Sequence, residues 1–157
     1  MVAETAAAAA AARVFAFPEG LIGLPEVRQF VLEPFPGLEG IAWYLKAADG
    51  SGLEFLVLNP EPFFPRYRPE LPPGDLAALG SPAPEERAIL VIATVPEDVR
   101  RMTANLRAPV VLNVTRRLGR QVLLAGDEYE VRTPVFALGA VASNQPGGLV
   151  SGPASGR

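Results

Sequence analysis

Few side chains in these 157 residues could carry covalent chemistry, and histidine and cysteine are both absent. That double absence excludes a Ser-His-Asp triad, a Cys-His pair, disulfides and the ordinary zinc sites. What remains is paired carboxylates, a Ser-Lys arrangement or a hard cation held by carboxylates. The paired acids are Glu85-Glu86, Glu97-Asp98 and Asp127-Glu128. Each falls in a predicted connection between strands, where adjacent acids are solvated surface, and no Asp-rich loop of calcium type exists. Lys46 is the single lysine, and Ser51 is near it only across a predicted turn. It reads as an exposed lysine at a strand end. Gly20-Leu21-Ile22-Gly23 has neither a following Lys-Ser/Thr nor a helix to aim at a phosphate, so it reads as an apolar chain reversal. The sequence therefore predicts a non-enzyme with no catalytic, cofactor or metal site.

Binding chemistry is better represented. Arg100, Arg101, Arg107, Arg116, Arg117 and Arg120 form a basic cluster that could contact RNA, but a sequence pI near 5.0 argues against a nucleic-acid binder. Phe63, Phe64 and Tyr67 lie within a proline-dense connection from Asn59 to Pro73. Three aromatics there either plug one end of a barrel or form a protein-binding patch. Charge is unevenly spread. Residues 1–98 carry 14 acidic and 6 basic side chains, and residues 99–157 carry 3 and 8. This split produces opposed charged faces if the fold separates the halves, and intermixes if it does not.

The elements that must position these residues are mostly strands. Ile41, Trp43 and Leu45 alternate with Ala42, Tyr44 and Lys46, and Leu53, Phe55 and Val57 follow the turn residues Asp49-Gly50-Ser51-Gly52, which predicts a β-hairpin. Ala88 to Val95 is apolar on both faces, as in a central strand. A second hairpin is expected from Val110–Val114 and Gln121–Leu124, with Gly119 in its turn. Val14–Phe17, Arg28–Glu33 and Tyr129–Arg132 are shorter strands. Asp75 could cap a short helical turn through Leu79, and another turn follows Pro96. The expectation is an all-β, single antiparallel barrel-like domain at residues 13–138 with one or two short helical turns. An alanine-rich disordered leader (1–12) and a flexible Gly/Pro/Ser-rich tail (139–157) flank it. No apolar run approaches the ~20 residues that cross a bilayer. The leader has Glu4 and no early basic residue, unlike a secretory signal, so a cytoplasmic monomer is expected.

Several stretches carry a family resemblance. They are Phe17-Pro18-Glu19-Gly20-Leu21-Ile22-Gly23-Leu24, Val57-Leu58-Asn59-Pro60 with Phe63, Phe64 and Tyr67, and Thr94-Val95. Next come Met102-Thr103-Ala104-Asn105-Leu106-Arg107-Ala108-Pro109-Val110-Val111-Leu112-Asn113 and Gly119-Arg120-Gln121-Val122-Leu123-Leu124, then Tyr129, Arg132 and Pro134. In this order and spacing they closely resemble the flagellar assembly factor FliW family. The resemblance implies a mostly antiparallel barrel that binds newly made flagellin. It also implies antagonism of the translational regulator CsrA, each partner excluding the other, so that flagellin translation follows unsecreted flagellin. A direct RNA-binding regulator is the alternative. Family members usually have an additional strand before the Phe-Pro segment, and here the alanine-rich leader takes its place. On this reading Phe63, Phe64 and Tyr67 are the candidate flagellin anchors. The outward-pointing acids Glu19, Glu54, Glu61 and Glu70 are the candidates facing CsrA, because an RNA-binding partner presents basic surface.

Overall fold

A computed structural model describes residues 12–136. The expected leader (Ala12 apart), the tail and any family strand preceding Arg13 fall outside them. Nine strands are present: β1 (Arg13–Ala16), β2 (Gln29–Pro34), β3 (Ala42–Ala47), β4 (Glu54–Leu58), β5 (Arg87–Thr94), β6 (Thr103–Ala104), β7 (Val110–Asn113), β8 (Leu118–Gln121) and β9 (Thr133–Pro134). One short helix, α1 (Pro73–Ala78), and 3-10 turns at Pro84–Glu86 and Val99–Arg101 complete the described elements. The strands run in the order β4-β3-β2-β1-β8-β7-β5, and β4 pairs back onto β5. Seven strands thus close a barrel, while β6 and β9 extend outward from β5. Every pairing is antiparallel except β1–β8, a parallel contact at Ala16 and Leu118. Closure removes sheet edges, which otherwise invite aggregation.

The period-two alternation read from the sequence becomes the inside and outside of this barrel. Phe15, Phe17, Phe30, Leu32, Trp43, Leu45, Val57, Leu90, Val110 and Leu112 fill the interior. Each such side chain contributes about 1.5–3 kcal/mol when fully buried. Phe17 meets Phe30 edge-on at 5.0 Å. β5 is covered on both faces, as its unbroken apolar run predicts. Leu90 points into the barrel, while Val91 and Ala93 pack outward against Leu58, Tyr67, Ala104, Leu106 and Val135.

The second hairpin differs from its expected form. β8 is Leu118–Gln121, not Gln121–Leu124, and the turn is Val114–Arg117. Asn113 builds that turn. Its Oδ1 accepts from the backbone amides of Thr115 and Arg116, both at 3.1 Å, and its Nδ2 donates to the buried Leu79 carbonyl at 2.7 Å. The left-handed residue is Arg117, at φ 59°. Gly119 lies inside the strand, where an added Cβ would run into the Phe17 ring. It is glycine for close approach, not for turn geometry. Likewise Tyr129–Arg132 is not a strand, and Thr133–Pro134 pairs with β6 in its place. Asp75 does not cap α1, because the helix starts two residues earlier at Pro73, behind an N-cap at Pro72. The expected reversal at Gly20–Gly23 is present, closed by a bridge between Leu21 and Leu24.

Candidate protein-binding site

The proline-dense connection leaves β4 at Asn59 and lies over the outer apolar cluster. Asn59 anchors its start, donating from Nδ2 to the Gly40 carbonyl and accepting from the Glu61 amide. The Pro60 carbonyl accepts from the amides of both Phe63 (3.1 Å) and Phe64 (2.7 Å), which winds the chain into one tight turn. That turn sets the two phenylalanines side by side and half-buried. Tyr67 lies deeper, only 7% exposed, with its hydroxyl donating to the Leu106 carbonyl at 2.6 Å and its ring edge-on to Tyr129 at 4.8 Å. Burial, with a smaller contribution from Tyr129, pushes the Tyr67 phenol above its ordinary range. Tyr67 is therefore a core residue under the loop, and Phe63 and Phe64 pack, half-buried, against the same cluster. The Tyr129 hydroxyl also accepts from the Arg68 amide, so the loop is tied down at both ends.

Phe136, which sequence reasoning missed, meets the Phe63 ring edge-on at 6.4 Å and is 41% exposed. It stands outside the proline-rich segment, and no local pattern links it to Phe63. Beside the aromatics, between the connection and the start of β5, opens a cleft of about 440 Å³. Trp43, Phe64, Tyr67, Ile89 and Leu90 wall it, with Arg68, Arg87 and Glu61 among its polar groups.

The acids proposed from the sequence do not gather in one place. Glu61 and Glu70 are exposed on the aromatic connection itself. Glu54 opens β4 opposite Lys46, a strand's length (about 17 Å) from Asn59. Glu19 sits in the loop after β1, where it pairs with Arg120 Nη1 at 3.0 Å. Arg120 also binds Asp75 through Nε at 2.6 Å. These contacts mark where the acidic and basic parts of the chain meet. β8, from the basic part of the chain, lies between β1 and β7, and its arginine is held by two acids from the acidic part.

The other chemistry-bearing residues have structural partners. Glu86 accepts from the Ala83 amide and the Thr115 hydroxyl, and these bonds hold its carboxyl below the ordinary glutamate value of 4.5. Asp98 caps the 3-10 turn and binds Arg100, whose side chain and amide likewise lower its pKa. Lys46 pairs with Glu33 at 2.7 Å and lies 5.5 Å from the centre of the Tyr44 ring, while the Ser51 hydroxyl accepts from the Leu53 amide. Among the described residues, no group of three or more Asp or Glu converges as a metal site, and no helix is long and apolar enough to cross a membrane.

A seven-stranded closed barrel with an aromatic loop braced over its outer cluster defines a small all-β domain. The FliW protein family model matches residues 3–135, so the chain belongs to the FliW family. Flagellar assembly factor FliW of Symbiobacterium thermophilum is 43% identical over 123 residues, covering 78% of this chain and 89% of that protein. The factor of the same name from Bdellovibrio bacteriovorus is 41% identical, covering 78% and 70%. The crystal structure of a flagellar assembly factor FliW superposes with a TM-score of 0.74 at 32% identity, covering 78% of this chain and 85% of that one. The all-β barrel and the family resemblance read from the sequence are thereby borne out.

Proposed function

We propose that this chain binds flagellin and the translational regulator CsrA in competition, so that unsecreted flagellin frees CsrA to repress flagellin translation. The exchange is a difference between binding free energies and involves no covalent step. Family membership supports the general role in flagellar assembly. The observation that carries the contact assignment is the half-buried pair Phe63–Phe64, set by the Pro60 turn over Tyr67 and extended by the exposed Phe136. Rigid aromatic side chains lose little entropy on binding and commonly anchor interfaces. Flagellin takes this apolar face. Glu61 and Glu70, next to it, attract the basic surface of CsrA, with Glu19 and Glu54 as outlying acids, and Tyr67 acts only by supporting the loop.

The test measures association of the full chain with purified flagellin and with purified CsrA at two salt concentrations, then displacement of one by the other. Phe64→Ala is expected to weaken flagellin binding by about 1.4 kcal/mol or more, tenfold at least, with the melting temperature followed as a control. Reversing Glu61 and Glu70 is expected to slow CsrA association several-fold at low salt and less at high salt. Simultaneous binding of both partners would refute the competition. CsrA association indifferent to salt and to both reversals would refute the electrostatic assignment.

A further inference from the structure

The cleft beside the aromatic loop exists because two paired strands have different lengths. β5 runs eight residues, whereas β4 runs five and pairs only with its second half, through Leu58 and Val91, Val57 and Ile92, and Leu56 and Ala93. Beyond Asn59 the next residue is Pro60, which has no N–H to offer a ladder. The first half of β5 pairs with β7 on its other side and has no strand beside it here.

The hydrogen-bond phase says which groups are left over. The Val114 amide donates to the Glu86 carbonyl, so the even residues of this half, Ala88 and Leu90, bond toward β7. The odd residues point the other way, as Val91 does toward Leu58. The Arg87 amide folds back to the Pro84 carbonyl. The N–H and C=O of Ile89 and the C=O of Arg87 therefore face the cleft, and among the described residues no backbone group pairs with them. Buried or half-buried backbone groups are almost always paired, so an open stretch on a closed barrel is exceptional. Side chains along β5 alternate: Ala88 and Leu90 point toward the barrel interior and Trp43, while Arg87 and Ile89 point outward beside Phe64 and Tyr67. Two arginines edge the opening. Arg87 Nε donates to the Pro82 carbonyl, and Arg68 Nη1 donates to the carbonyls of Pro65 and Tyr67. Neither forms an ion pair among the described residues, and Glu61 is the one acid lining the cleft.

We propose that this opening is a strand-addition site: an extended protein segment pairs its backbone with Arg87–Ile89, placing apolar side chains inward and acidic side chains outward against Arg87 and Arg68. Such a partner gains backbone bonds from the added strand and selectivity from alternate side chains. The cationic lip sets the sign of the outward residues, because cross-strand opposite charges stabilise and like charges oppose. The site adjoins the Phe63–Phe136 face and shares Phe64 and Glu61 with it, but its backbone edge at Arg87–Ile89 is separate and does not depend on which protein binds the aromatics.

The probe is a capped six-residue peptide, acetyl-Val-Glu-Phe-Glu-Val-Thr-amide, with a control carrying lysine in place of both glutamates. Amide hydrogen exchange of the full chain is the readout. In the free protein the Ile89 amide is expected to exchange faster than those of Ala88 and Leu90, which bond to β7. Saturating acidic peptide should slow Ile89 exchange at least several-fold and leave Ala88 and Leu90 unchanged. Arg87→Glu should weaken acidic-peptide binding several-fold and reverse the preference between the two peptides. An Ile89 amide already protected in the free chain would overturn the proposal. So would peptide binding without new protection at Ile89, no binding of either peptide, or equal affinity for both. Flagellin and CsrA binding measured on the same Arg87→Glu chain separates the two proposals, since the competition stands or falls on those partners and the strand slot on the peptide.

Discussion

Replacing Gly119 with alanine tests the contact that sets the register of β8. The backbone at Gly119 is ordinary strand, so alanine incurs no conformational penalty there; its Cβ is the problem. Three atoms of the Phe17 ring occupy the space that it would need. Phe17 is fully buried and braced edge-on by Phe30, so the ring cannot swing out without dislodging a second phenylalanine. Overpacking of this kind costs about 1–3 kcal/mol, and the rigid ring places the expected loss near the upper end, about 2–3 kcal/mol. For a domain this size that lowers Tm by roughly 4–12 °C. Phe17→Leu alone loses buried ring area and should cost about 1–2 kcal/mol. Together the two changes should cost at least about 1 kcal/mol less than the sum of the singles, because the smaller side chain makes room for the methyl group. Chemical denaturation of the four chains gives the cycle directly. Additivity within about 0.5 kcal/mol would show that Gly119 is not held by Phe17, and the close-approach argument would fail.

Three further outcomes follow from polar partners. Asn113→Leu strands the buried Leu79 carbonyl, while the Thr115 and Arg116 amides are exposed enough to turn to water, so a loss of about 2–3 kcal/mol is expected by urea denaturation. Asn105→Leu deprives the amides of Arg107 and Ala108 of a half-buried acceptor and should cost roughly 1–3 kcal/mol; unchanged stability with lost partner binding would move Asn105 to the interface. Glu86 has a folded pKa below its ordinary 4.5, so the stability it supplies is present above that value and disappears as pH falls through the lower folded one. The stability gap between the native chain and Glu86→Gln, followed by thermal melts across the acid range, should therefore narrow as pH drops. A gap that stays constant or widens would contradict the assignment.

Where the alternation was clean, the sequence declared the fold. Trp43 and Leu45 on one side of β3, and the two-faced apolar run of β5, needed only the period-two rule and landed as expected. What stayed hidden depends on contacts between distant residues. Gly119 among arginines looks like turn chemistry, yet its reason is Phe17, on a strand that reaches it only after the barrel closes. The real turn uses Asn113 as a scaffold, leaving an arginine to take the left-handed conformation. Asp75 looked like a cap because Pro72-Pro73 reads as loop, although a proline suits the first helical position. For the candidate site, Phe63 and Phe64 were legible as aromatics in a loop, but the depth of Tyr67 and the partnership of Phe136 required the tertiary structure.

Pro60 joins the two surface features. By ending β4 it leaves half of β5 without a strand on that side, and by freeing its own carbonyl it winds the turn that carries Phe63 and Phe64. The aromatic face and the open strand edge are thus consequences of one interruption in the ladder. Because β8 lies beside β1, Arg120 is paired with Glu19 and Asp75, so these two acids are already engaged. The charges bordering the interruption are Glu61 and Glu70 beside the aromatics, and Arg68 and Arg87 beside the cleft. On both proposals, opposite signs on adjoining sites would let one loop distinguish a basic protein surface from an acidic extended segment, with no change in the barrel beneath it.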